Sequence, residues 1–466
     1  MVDILSRLSI TSLGQCRCVC KSWRSLIADP FLINKQLCVN RHRHPIDGDP
    51  NHYFFLAYSI VFERGSPCNL EYFDYPCHSL QCSETFEERK RLQFPTDIGH
   101  FSVKSSCNGV LCLLRSHYIG SSCYSYAIIL WNPSINKFKI LPKPGGRFQV
   151  PSHVGVSLGI GFIPQTNDYK VVKLINPATN SDVFFSPRIE MYSLNTDSWT
   201  AWTAGYDVQW RLCGRETTDA SVNGAVHWTA RKTTSCDDDD DDGSALLIVS
   251  FHLADEVLRE IRLPKYRCAH RDPYRKYGFI SVIHGKLAFT IDRGDENSRD
   301  QEVWEVWLLE DYDNEESWTK FRTITMVPAC RQHIVPLQFL NDGEFVVCSG
   351  KGGLIVFDPT GQQIVGKELH GSRFEVVNYT QSLVLVKEGI DGSSTEMSSF
   401  AKELEELEDE KKEEEKREMV EYEKIRKEEE KRRKEEEEKE LAQLGIARRV
   451  IKGVMEFFKE IGDDLD

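Results

Sequence analysis

Apolar residues near the start of the chain recur at positions 13, 16, 19/20, 23 and 26/27, the spacing of one helical face. Ser12 is placed to cap such a helix, and Asp29-Pro30 to break it. From about residue 50 to 390 the rhythm changes. Short apolar runs meet at tight-turn pairs, and "SCNGVLCLL", "SVNGAVHWTA", "VIHGKLAFTI" and "FLNDGEFVVCSG" each read as a hairpin. Further strand-like runs follow, as in "AIILWNPSINKFKIL", "RIEMYSLNTDSWTAW", "LLIVSFHLADEVLREIRL", "VWEVWLLEDYDNEESWTKF" and "GLIVFDPTGQQIVGKEL". The unit is four strands, repeated roughly every 50 to 60 residues, and such units predict propeller blades. Five full units fall between residues 101 and 370. Two runs are left before them, "YFFLAYSIVF" and "LEYFDY", and two after, "FEVVNY" and "SLVLVKE". Pairing these two and two predicts a sixth blade, which closes the ring and removes exposed sheet edges.

Beyond residue 396 the strand rhythm stops. Residues 396–440 alternate acidic and basic blocks, with many acids three or four positions before a base. The composition is that of a coiled coil. Its apolar residues, Leu404, Leu407, Met419, Tyr422 and Ile425, are too sparse for a heptad seam, so one charged, solvent-exposed helix is predicted. In 441–466, Leu444, Ala447, Ile451, Val454, Phe458, Ile461 and Leu465 recur at three or four, an amphipathic helix. Gly445 and Gly453 weaken it in isolation. Such a helix docks on a partner, self-associates or packs back on the propeller. The expected plan is a helical domain at 1–40, a propeller at 41–395, a charged helix at 396–440 and an amphipathic helix at 441–466.

Charge sharpens this division. The net charge is −14, yet six aspartates at 237–242 and the tail from Glu396, with 26 acids against 17 bases, hold nearly all of it. No basic stripe stands out, which argues against a nucleic-acid partner. The aspartate run lacks the glycine spacing and downstream glutamate of a calcium loop, so it reads as a solvated loop. No apolar run approaches the ~20 residues of a membrane helix. The opening "MVDILSRLSITSL" has no signal-peptide pattern, which predicts a cytoplasmic or nuclear chain.

The 15 cysteines then read as reduced thiols, with Cys107, Cys112 and Cys348 inside apolar strand runs. "CRCVCKSW" at 16–23 puts three cysteines in five positions. On one continuous helix Cys16 and Cys20 share a face and Cys18 points away, so three thiolates do not converge on a metal. Cys38, His42 and His44 are the nearest further donors. The cysteines are expected to pack as small apolar groups, and neither metal nor cofactor is expected. A copper-dependent propeller enzyme would need convergent histidine and tyrosine ligands, and no spacing gathers them. Trp131, Trp199, Trp228, Trp307 and Trp318 are expected in blade-to-blade packing.

Two regions carry a family resemblance. "ILSRLSITSLGQCRCVCKSWRSLIADPFL" (4–32) resembles the later two-thirds of an F-box. "ILWNPSINKFKILPKP" (129–144) and "GIGFIPQTNDYKVVKL" (159–174) resemble hallmark segments of the kelch-like F-box-associated domain. The chain thus resembles plant F-box proteins of the immunity-regulator and self-incompatibility type over about 2–390. The resemblance implies the substrate-recognition subunit of a Skp–cullin–F-box ubiquitin ligase. Its F-box would bind a Skp-type adaptor, and through it a cullin–RING ligase. Its propeller would bind an unidentified protein target, and the subunit itself would have no catalytic residues. Matching the motif assigns adaptor contact to Ile4, Leu5, Leu8, Leu13, Val19, Cys20, Lys21, Trp23, Arg24 and Leu26. An F-box ordinarily opens with Leu-Pro and acidic residues. Here Met1 falls inside that first helix, Ser9 stands where proline is usual and Cys16 where phenylalanine is usual. The expectation is an N-terminally truncated F-box with less apolar contact, at roughly 1.5–3 kcal/mol per buried leucine. The alternative function is an interaction scaffold with a decoupled F-box.

Overall fold

The computed structural model describes residues 1–42, the strands and tight turns between 52 and 391, and Lys402, Lys431 and Arg432. The long inter-strand connections and nearly all of the charged tail lie outside the described residues. So do the predicted aspartate loop at 237–242, the turn at 341–343 and the amphipathic segment 441–466. Two compact units divide the chain: Met1–His117 with Ser122–Glu403, and Tyr118–Ser121 with Leu404–Asp466.

The first unit opens with four helices: α1 (Val2–Leu5), α2 (Ile10–Cys16), α3 (Lys21–Ile27) and α4 (Pro30–His42). The single helix expected over 13–27 is two. Ser9, not Ser12, caps α2, its side chain accepting from the Ser12 N–H. The chain turns at 17–20, and Cys20 becomes the cap of α3. The apolar period survives this break because both helices bury toward one cluster.

Six antiparallel sheets follow, arranged as the blades of a propeller. Blade 2 contains Ser102–Cys107, Val110–Ile119, Cys123–Asn132 and Lys137–Ile140. Blade 3 contains Val154–Ile163, Asp168–Pro177, Arg188–Ser193 and Ser198–Trp202. Blade 4 is built on Ala225–Lys232, Leu246–His252 and Val257–Arg262, blade 5 on Phe279–Ile283 to Trp318–Met326, and blade 6 on Ile334–Phe339 to Gln363–His370. Three of the four hairpin signals are real turns among the described residues. Asn108-Gly109, Asn223-Gly224 and His284-Gly285 all have positive φ at both residues, as a two-residue hairpin with right-handed strand twist requires.

Blade 1 closes the ring, with a different division of strands from the expected two and two. His52–Ser66, Asn69–Cys82 and Glu88–Leu92 come from the N-terminal side, and Ser372–Thr380 alone from the C-terminal side. Tyr53 pairs with Tyr379 and Phe55 with Val377. The described part of "SLVLVKE", Ser382–Leu385, forms no strand. Its alternation reflects burial in two different places: Leu383 in the helical cluster, Val384 and Leu385 in the propeller core.

Glycines in "GIGF" let the blades approach. A Cβ at Gly159 would overlap Val226 and one at Gly161 would overlap Leu253, both from blade 4. Side chains of one blade thus rest directly on the inner strand of the next.

Candidate functional site

The helical region is built round one small cluster. Leu5, Ile10, Leu13, Ile27 and Leu32 are buried in it, with Val2, Leu8, Cys16, Trp23, Leu26 and Ile33 at its edge. Asp29 ends the turn before α4 by accepting from the Phe31 N–H at 2.8 Å, with Pro30 in the first helical position, where its missing N–H costs nothing. Lys35 of α4 pairs with Asp3 of α1 and holds its carboxyl below the usual range.

What the cluster leaves outside is the candidate docking surface. Ile4 and Val19 are each 68% exposed and Phe31 67%. Among the described residues the other exposed large hydrophobics are Met1, again in this region, and Val257 and Phe321 in the propeller. Apolar exposure concentrated on a few dozen residues makes this region the candidate for a docking surface. The same stretch, residues 1–42, has two acids and six bases in an otherwise acidic chain.

The predicted contact set therefore splits. Ile4, Val19, Cys20, Lys21 and Arg24 are exposed, and Leu8, Trp23 and Leu26 are partly buried on the cluster's edge. Leu5 and Leu13 are 2% and 0% exposed, sealed in the core and unable to face a partner without unfolding. Phe31 was not in that set. It lies outside the apolar period of α2 and α3, and only the helix start at Pro30 signals its exposure.

The cysteines divide likewise. Cys16 packs on the cluster, whereas Cys18 and Cys20 are exposed, contrary to the apolar role expected of them. Cys18 donates to the Gly14 carbonyl at 3.7 Å, and the Cys20 sulfur accepts from the Trp23 N–H at 3.5 Å. In the strands, Cys112 is fully buried, and Cys107 and Cys348 partly so.

Helix α4 joins this region to the propeller. Its Asn34 amide donates to the Asn167 side chain at 2.7 Å, and Asn40 donates to the Gln381 carbonyl at 3.3 Å. Leu37 enters the propeller core with Val110, Tyr169, Val384 and Leu385. In return the propeller sends Leu383 and Ile135 into the helical cluster. Apolar groups thus interlock in both directions across the seam.

The two hallmark segments supply that seam. In "WNPSIN", fully buried Asn132 donates to the Ser382 and Val384 carbonyls at 3.0 and 2.8 Å. Its oxygen accepts from the Ser134 N–H and the Tyr379 hydroxyl. One side chain thus holds the segment that leaves the last strand, and so aims Leu383. In "NDYK", each residue has a separate task. Asn167 accepts from Asn34. Asp168 accepts from Ser193 and the Asn195 N–H, tying the two hairpins of blade 3. Tyr169 accepts from Asn108 of blade 2, and Lys170 pairs with Glu256 of blade 4 at 2.8 Å.

Residues 68–386 match the F-box associated beta propeller domain, and residues 1–40 match the F-box-like domain. The chain belongs to the F-box-associated propeller family. The Arabidopsis thaliana F-box protein At3g07870 is 25% identical over 346 residues, covering 69% of this chain and 70% of that protein. The F-box/kelch-repeat protein At3g23880 of the same plant is 22% identical over 361 residues, covering 77% and 86%. The Arabidopsis F-box protein CPR1 is 24% identical over 360 residues, covering 74% and 77%. A solved polysaccharide lyase, the PL25 ulvan lyase, aligns at 10% identity over 73% of this chain and 82% of its own, with a TM-score of 0.35. A likeness of that size carries nothing about activity.

Elsewhere in the F-box-associated propeller the polar groups bind blades together. Trp199 donates to the Pro142 carbonyl and Trp318 to the Arg262 carbonyl, each reaching the preceding blade. Trp131 and Trp228 are buried, and Trp307 is partly buried in the packing round Phe289. His227 is fully buried between the Ala220 carbonyl and the Tyr312 hydroxyl, both at 2.7 Å, and burial pushes its pKa down to about 4. It is a neutral structural link between blades 4 and 5. Lys173 is fully buried in blade 3 beside Glu190, and burial lowers it to about 8. Among the described residues no three His, Cys, Asp or Glu side chains gather in a way that could hold a metal ion, and no helix is long and apolar enough to cross a membrane.

Proposed function

We propose that this chain is the substrate receptor of a Skp–cullin–F-box ubiquitin ligase, working in the cytoplasm or nucleus without catalytic residues of its own. The observation that carries the reading is the apolar exposure of the helical region, at Ile4, Val19 and Phe31, with Lys21 and Arg24 exposed in the same stretch. A region this small cannot bury such groups within itself, and exposed apolar side chains among cations suit a helical, acidic adaptor face.

The propeller then presents the target. The chain enters blade 1 at His52 and leaves it at Thr380, which are register partners at one end of their strands. The turns that meet the F-box, at 133–136 and 164–167, lie at that same end, because they contribute Ile135 and Asn167. Among the described residues the contacts between F-box and propeller fall at that end, and we place target binding on the propeller face away from it. The interlocked seam holds the two faces in fixed relation, so a bound target would be held at a set distance from the ubiquitin-charged enzyme elsewhere in the assembly. This is catalysis by positioning, with the chemistry supplied by the other subunits.

The test is reconstitution of the full chain with a purified Skp-type adaptor and cullin–RING module. A one-to-one complex that ubiquitinates proteins captured by the propeller is expected. A folded chain that captures proteins yet never joins the adaptor would replace this reading with the scaffold one.

A further inference from the structure

We propose that Cys18 and Cys20 form a thiol-modification site, through which a low-molecular-weight disulfide of the glutathione type uncouples this chain from its adaptor. The inference rests on the adaptor-docking reading above.

The turn at 17–20 presents both thiols to solvent, on either side of Val19, which is 68% exposed. Most other described cysteines are less open. Cys82 and Cys112 are buried, burial pushes the Cys112 thiol up to about 12, and Cys16, Cys77, Cys107 and Cys348 are partly buried. Cys38 is exposed, on α4 rather than in this turn. Reactivity toward disulfides follows access and thiolate character, so a buried thiol held at high pKa is inert.

The surroundings favour an anionic reagent. Lys21 and Arg24 are exposed beside the turn, and glutathione disulfide carries carboxylates that they attract. The step is thiol–disulfide exchange. The Cys20 or Cys18 thiolate attacks one sulfur of the reagent, whose S–S bond breaks as a protein–glutathione S–S bond forms. The departing glutathione thiolate takes up the proton that the cysteine released. A reduced thiol pool reverses the reaction by the same exchange.

The consequences fall on the docking surface. A tripeptide adduct would stand next to Val19 and set its carboxylates against Lys21 and Arg24. On Cys20 it would also crowd the sulfur that accepts from the Trp23 N–H and so disturb the start of α3. The adaptor, once bound, would shield the same thiols, so docking and modification exclude each other.

The experiment uses the full chain, treated with glutathione disulfide and compared with itself after reduction. Peptide mass mapping is expected to place the first adducts on Cys18 and Cys20. Adaptor affinity is expected to fall at least tenfold on treatment and to return with dithiothreitol. The Cys18→Ser, Cys20→Ser double variant, compared only with its own reduced form, is expected to show no such fall. First adducts at Cys38 or on other cysteines would overturn the proposal. So would an unchanged affinity of the doubly modified chain, or an equal fall in the double variant. If the reduced chain fails to bind adaptor at all, the receptor reading fails by itself, and the mapping still decides whether this turn is the reactive site.

Discussion

Asn34 and Asn167 stand 133 positions apart in sequence and 2.7 Å apart in space. One lies in the last F-box helix, the other in a hallmark turn of the propeller with φ of 51°. That left-handed conformation is one asparagine tolerates better than most residues, and it lets the side chain meet α4. The bond places a family-typical turn at the seam between the F-box and the propeller.

The tightest part of that seam is Asn132. Its replacement by alanine removes donors to two main-chain carbonyls within the buried segment that follows Tyr379. A loss of about 2–4 kcal/mol in unfolding free energy is expected, in the range of buried networks left half satisfied. Denaturant titration checks it. A loss within error of zero would show that the segment holds itself in place.

Leu383 is the apolar counterpart. It is 0% exposed and, among the described residues, the one buried propeller residue in the F-box cluster. Leu383→Ala is expected to cost about 2–4 kcal/mol, as a large-to-small core change does. The effect should be unequal: amide hydrogen exchange in α1–α3 should speed up, while exchange in blades 3 to 5 should hardly change. Uniform acceleration everywhere would mean that F-box and propeller unfold together.

Gln36 of α4 is 0% exposed, and among the described residues neither its amide nitrogen nor its oxygen has a hydrogen-bond partner. An unsatisfied buried amide is destabilising, and an apolar residue of similar shape removes that penalty. Gln36→Met is therefore expected to raise stability by about 1 kcal/mol, seen as a higher denaturation midpoint at unchanged slope. A lower midpoint would reveal a partner for this amide, such as a buried water.

His227 gives a pH dependence of known sign. Its folded pKa, about 4, lies below the ordinary 6.5. Between these values the unfolded chain binds a proton that the folded chain refuses, so stability falls as pH drops from 6.5 toward 4 and is level above 6.5. The full shift corresponds to about 3 kcal/mol. His227→Gln keeps a donor for Ala220 but cannot titrate. Its loss of stability between pH 7 and 4.5 should be smaller than that of the native chain by about 2 kcal/mol. Identical losses would exclude His227 as the source.

Much of this architecture was legible in the sequence, for identifiable reasons. Asn108-Gly109 and Asn223-Gly224 announced hairpins because few other pairs accept positive φ twice. The repeat of such turns gave blades, and leftover strands at both ends required closure. Other features were hidden because their cause is tertiary. Nothing local in "SLVLVKE" says that Asn132, 250 positions earlier, binds its main chain in place of a neighbouring strand. In the F-box, periodicity named the apolar residues but not which way each faces. Leu5 and Ile4 are adjacent in sequence, yet one is 2% and the other 68% exposed. The break at 17–20 was likewise masked, because a continuous apolar period does not reveal a turn.

The most direct measurement is adaptor affinity of the full chain by calorimetry, with exposed and buried F-box positions changed separately. Ile4→Asp with Val19→Asp is expected to weaken binding at least a hundredfold while the melting temperature stays put, because both side chains stand in solvent. Leu13→Ala is expected to lower the melting temperature first, since that side chain is sealed in the core. Binding by the double variant equal to that of the native chain would contradict the account, because the uncovered apolar surface would then not be where the adaptor docks.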